Sequence, residues 1–87
     1  MIKIKVHNKI FGKYSEIDKF FLVPKKIWDD FEVGEKELKI NNQKVRVRIY
    51  DVLCDCSSKM HNHRIADLRS VWEKLNLEEG NEITVER

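Results

Sequence analysis

Apolar Ile2, Ile4 and Val6 alternate with polar Lys3, Lys5 and His7, a period of two that predicts a first strand with one greasy and one basic face. A second strand is expected over Phe20–Val23. Between them, 8–19 reads as a long connection in which Ile10, Phe11 and Tyr14 could anchor on the core. Pro24 stands where a helix accepts proline, and Ile27, Trp28 and Phe31 repeat at helical spacing, so a short helix is expected over Lys25–Phe31. The strongest hairpin signal joins Leu38–Ile40 to Val45, Val47 and Ile49 through Asn41-Asn42-Gln43, because asparagine tolerates the positive φ of tight turns. A second hairpin is expected, with Tyr50–Cys56 turning at 57–60 and returning as His61–Ala66. Asp67 reads as the N-cap of a second helix, Leu68–Asn76, whose Leu68, Val71, Trp72 and Leu75 form one stripe. Gly80-Asn81 then leads into a last strand holding Ile83 and Val85.

The 87 residues suffice for one small domain, too small for a large enzyme, and 41% hydrophobic with 37% charged residues argues for a folded chain rather than a disordered one. A net charge of +2 does not by itself identify a nucleic-acid binder. No apolar run approaches a membrane span, the N-terminus does not read as a signal peptide, and Cys54 and Cys56 stand too close together to staple a secreted fold. A cytoplasmic protein with no membrane partner is the expectation.

The chain also resembles itself. At a shift of 44, Phe21, Lys25, Ile27, Trp28, Asp29, Phe31 and Val33 fall on Ile65, Arg69, Val71, Trp72, Glu73, Leu75 and Leu77, defining repeats of approximately 20–40 and 64–85. Each copy reads strand, short helix, glycine turn, strand, and each apolar face needs the other copy to cover it. The run Leu75-Asn76-Leu77-Glu78-Glu79-Gly80-Asn81-Glu82-Ile83-Thr84-Val85 resembles the end of the AbrB-type transition-state-regulator unit, and Val23-Pro24-Lys25-Lys26-Ile27 its beginning. Leu68 stands where that unit has proline. The resemblance spans roughly 20–87 and implies a duplicated, pseudo-symmetric cradle-loop β-barrel in one chain, mainly β with two short helices. It also implies a regulatory role.

Two constellations could carry chemistry. Cys54, Cys56, His61 and His63 fall within ten residues, and two thiolates with two imidazoles are a tetrahedral zinc set. A turn at 57–60 would place Cys56 opposite His61 and Cys54 opposite His63, all on one face. Buried cysteines beside surface histidines are the plainer alternative. The same cluster allows a thiol enzyme, with Asp55 or Asp67 orienting a histidine, but no nucleophile elbow or phosphate loop accompanies it, so a non-enzymatic protein is expected. The second constellation is basic. Lys3 and Lys5 on one strand, and Lys44, Arg46 and Arg48 on another, would pool a phosphate-binding surface if those strands were neighbours. Residues 1–50 hold 12 bases and 7 acids, whereas 51–87 hold 5 and 8. Trp28 and Trp72 are expected in or beside the core, and Glu73, Glu78, Glu79, Glu82 and Glu86 form a solvated acidic end or a dock for a basic partner. The leading functional expectation is a binding module for nucleic acid or another protein. A small zinc protein is the alternative.

Overall fold

Apolar and polar residues alternate over Ile2–His7, Leu38–Ile40 and Lys44–Ile49, and the strands close on themselves. The computed structural model describes residues 2–10, 16–54 and 61–86, with the backbone but not the side chain of Cys54. Six strands are present: β1 (Ile2–Asn8), β2 (Lys19–Leu22), β3 (Gly34–Ile40), β4 (Gln43–Cys54), β5 (His61–Asp67) and β6 (Glu82–Glu86). They form a closed antiparallel barrel in the order β1-β2-β5-β4-β3-β6. Closure removes most of the unpaired strand edges that an open sheet this small would expose.

The barrel interior takes the inward residues of each strand: Val6, Phe21, Leu38, Ile40, Val45, Val47, Ile49, Ala66, Ile83 and Val85 are all buried. Leu68, Val71, Trp72, Leu75 and Leu77 join the same cluster from the connection between β5 and β6, and Val23 and Phe31 join it from the connection between β2 and β3. A second, smaller cluster lies on the outer face, where Ile17 covers Phe20, Val52 and Ile65. Phe20 and Phe21 therefore serve different cores, as period two requires. Ile10 is exposed and anchors nothing, while Ile17 does the covering; Phe11 and Tyr14 lie outside the described residues.

The helical expectation needs correction. One six-residue 3-10 helix, Lys25–Asp30, follows Pro24, whose φ of −57° suits a helix but whose ψ of 137° does not. No second helix forms at 68–76. Its hydrogen bonds mix spans: Val71 N–H to Leu68 O, Leu75 N–H to Val71 O, Asn76 N–H to Glu73 O and Leu77 N–H to Trp72 O. The stripe does bury Leu68, Val71, Trp72 and Leu75 as its spacing demands. Spacing fixes which side chains face inward but not which carbonyl each N–H reaches, and the backbone reverses at Asn76 with φ 53°. Asp67 Oδ1 does accept the Arg69 N–H at 3.0 Å, but it opens a run of turns and not a helix.

Exchanging β1, β2 and β3 with β4, β5 and β6 leaves the ring order unchanged. With registers and inward faces kept in step, Val6 corresponds to Ile49, Phe21 to Ala66 and Leu38 to Val85. A constant shift of 44 does not describe the strands, since it matches inward Phe21 to outward Ile65.

Candidate metal centre and the basic faces

β4 and β5 run on beyond the rest of the barrel as a two-stranded arm, with register Tyr50↔Ile65, Val52↔His63 and Cys54↔His61. Residues directly opposite share a face, so Cys54, His61 and His63 lie on one side of the arm. The register is two residues from the expected one: Cys54 stands opposite His61, not His63. The difference comes from where the strands turn, which composition alone does not set. Cys56, the fourth expected ligand, and Asp55 lie outside the described residues.

The two histidines converge. Their Nε2 atoms are 2.9 Å apart and their ring centres 4.6 Å, in an edge-to-face arrangement. Burial, and then the neighbouring His61, hold the pKa of His63 below its ordinary value, favouring the neutral imidazole that can ligate a metal. In a tetrahedral zinc site with Zn–N of about 2.0–2.1 Å, two imidazole nitrogens stand about 3.3–3.4 Å apart, so a small opening of this pair would fit the ion. Among the described residues no group of three or more His, Cys, Asp or Glu gathers at a metal-binding distance; the pair is a two-donor half-site. It borders a cleft of about 530 Å³ floored by Leu22, Val23, Pro24 and Trp28. Asp67 is four residues along β5 from His63, about 13 Å at strand rise, and its carboxylate binds Arg69 at 2.8–3.2 Å, so it does not orient the histidines.

The basic combs are not pooled. Lys3 and Lys5 sit on β1 and Lys44, Arg46 and Arg48 on β4, strands separated by two others whichever way the ring is followed. Each comb also faces acids. Arg46 and Arg48 reach Glu35 at 3.5 and 3.3 Å, Lys5 stands opposite Glu82, and Arg48 stands opposite Asp67 on its other side. Like charges meet at one place, Lys39 opposite Lys44, with Glu86 opposite Lys39 on its far side. The acidic end is similarly engaged, with Glu79 accepting the Asn8 N–H at 3.2 Å and lying 3.5 Å from His7.

Sequence reasoning missed Arg64. Its guanidinium lies 4.5 Å from the centre of the Trp28 ring, binds Asp51 through two nitrogens at 2.8 and 3.1 Å, and donates through Nη1 to the carbonyls of Trp28 and Phe31 at 3.2 and 3.4 Å. The hydrogen bond to Asp51 raises the pKa of Arg64 further. An arginine on a half-buried strand gives no signal of this in sequence, because its partners come from two distant segments, β4 and the 3-10 helix with its C-cap.

Comparison with known families, curated proteins and solved structures finds no match to this chain. No helix among the described residues is long and apolar enough to cross a membrane.

Proposed function

We propose that the chain is a non-enzymatic binding module, a duplicated cradle-loop barrel of AbrB-like type, whose β4–β5 arm is fixed by one structural zinc ion. The observation that carries the metal reading is the 2.9 Å approach of His61 Nε2 to His63 Nε2 on the face that also holds position 54. Cys54, and Cys56 two residues on in the sequence, supply the thiolates that complete a tetrahedral set. The ring order, unchanged when the two halves are exchanged, supports the duplicated barrel. Metal would stiffen the end of the arm beyond the tie that Arg64 makes to Asp51 and the 3-10 helix, and a staple adds most where a small domain has little core.

Elemental analysis of untagged protein purified under reducing conditions tests this directly. One zinc per chain is expected, with loss in His63→Ala and in Cys54→Ser. Absence of zinc, iron or cobalt uptake removes the reading.

Nucleic-acid binding is the second reading, favoured by the approach of Lys44 to Lys39 beside Arg46. It places the contact on the β3–β4 face alone, with Lys44, Arg46 and Arg48 on phosphates and Lys3 and Lys5 on the opposite wall. Binding to duplex or single-stranded DNA should then weaken between low and moderate salt, with a slope matching two or three phosphate contacts. A salt-independent signal, or none, excludes it.

A further inference from the structure

The two tryptophan-bearing connections are not closed to the same degree. Trp72, between β5 and β6, is 6% exposed, and Leu68, Val71 and Leu75 of the same connection are buried with it. Trp28, its match in the sequence repeat, lies between β2 and β3 on a 3-10 helix that buries none of its residues, and packs half-buried against the main core. What Trp28 leaves open is the cleft of about 530 Å³ beside the arm, floored by Leu22, Val23, Pro24 and Trp28 and walled by His61 and His63.

The floor of this cleft is held in place before any ligand arrives. Trp28 Nε1 donates to Val23 O at 2.9 Å, and the Arg64 guanidinium lies 4.5 Å from the centre of the same indole. Asp51 in turn fixes Arg64. A cavity of several hundred Å³ with an apolar floor and a few polar groups at one side is the form that small-molecule sites take, and a floor already ordered leaves more of the contact energy for binding.

Charge then selects the ligand. Among the described residues that line the cleft, Lys25 carries the one full charge, and no aspartate or glutamate contributes. Burial, and then His61, hold the pKa of His63 below its ordinary value, so the wall does not supply a negative group either. An apolar cation would meet the ammonium with nothing to balance it, and a neutral apolar molecule would leave the ammonium unused. An apolar anion uses both the floor and the charge.

We propose that this cleft binds a small apolar carboxylic acid, its aromatic or branched body on Pro24 and Trp28 and its carboxylate at Lys25. The site goes beyond the metal reading and does not depend on it, because Lys25 and the floor stand outside the set formed by Cys54, Cys56, His61 and His63.

Titration of phenylpropionate into nitrogen-labelled protein as purified, followed by NMR at neutral pH, tests the proposal. Saturable shifts are expected at the Trp28 indole N–H, with the Trp72 indole unmoved and a Kd of about 1 mM or tighter. Phenylpropanol, the same body without the charge, should bind about fivefold more weakly, and Lys25→Gln should weaken the acid by about the same factor while leaving the alcohol unchanged. Lys25 is exposed, and the amide spectrum checks that the variant folds. Zinc content is read separately by elemental analysis, so failure of either reading leaves the other standing. No saturable shift at Trp28, equal binding of acid and alcohol, an acid indifferent to Lys25→Gln, or matching shifts at Trp72 overturns the proposal.

Discussion

The Arg64 guanidinium stacks 4.5 Å from the Trp28 ring centre while Trp28 Nε1 donates to Val23 O at 2.9 Å, so β5 and the 3-10 helix hold each other through one cation and one indole. Asp51 on β4 completes the tie. The 3-10 helix has no buried residue of its own, and its place on the barrel depends on this contact and on the half-buried Ile27 and Trp28.

Arg64→Ala should therefore cost about 2 kcal/mol, from the stacking and the charge-assisted bonds together, measured by urea unfolding. Arg64→Lys should recover little of it, because an ammonium cannot bind Asp51 through two nitrogens while lying flat on an indole. Equal stability of the lysine variant and the parent would mean that only the charge matters.

Stability should fall on acidification. The pKa of His63 is lowered in the folded state, first by burial and then by His61, so the unfolded chain binds the proton more readily. The loss sets in as pH drops through the ordinary value of 6.5, continues toward the lower folded pKa, and levels off beneath it. Thermal melting of metal-free protein from pH 8 to pH 5 checks this, and His63→Gln should flatten the profile in that window.

Phe21→Ala should destabilise far more than a typical surface change, by about 3–5 kcal/mol, since Phe21 is fully buried inside the barrel against Phe31 with ring centres 6.4 Å apart. In a domain this small that approaches the whole stability, so circular dichroism should show the variant partly unfolded at room temperature.

How much of this was legible depended on whether the signal was local. Ile2–Val6 and the Leu38–Ile49 hairpin could be read because alternation and two asparagines are written within a few residues of each other. The mainly-β content followed from the same alternation, whereas the barrel was implied by the family resemblance and not by any local pattern. The stripe Leu68–Leu75 announced its burial correctly but not its backbone, because periodicity reports which side chains face inward and not which carbonyl each N–H reaches. For the candidate site, the sequence brought His61 and His63 to one face; the partner of Cys54 was displaced by two because turn length sets register. The separation of Lys3 and Lys5 from the Lys44–Arg48 comb, and the role of Arg64, are properties of ring order, a long-range fact that no local pattern carries.

The Asn41-Asn42 turn offers a test in which neighbouring residues of one type respond in opposite directions. Both have positive φ, 50° and 67°, as a two-residue hairpin with this twist requires. Asn41 also bridges to β6, its N–H donating to Thr84 O and its Oδ1 accepting from Thr84 N–H, each at 3.0 Å. Asn42 shows no such side-chain bond among the described residues. Glycine at position 42 relieves the left-handed strain at no cost in contacts and should raise stability by several tenths of a kcal/mol. Glycine at position 41 gains the same relief but loses the bond to Thr84, for a net loss of about 0.5–1 kcal/mol. Denaturant midpoints of the two variants should therefore move apart, and a rise for both would mean that the Asn41 side chain does not help hold β6 to the hairpin.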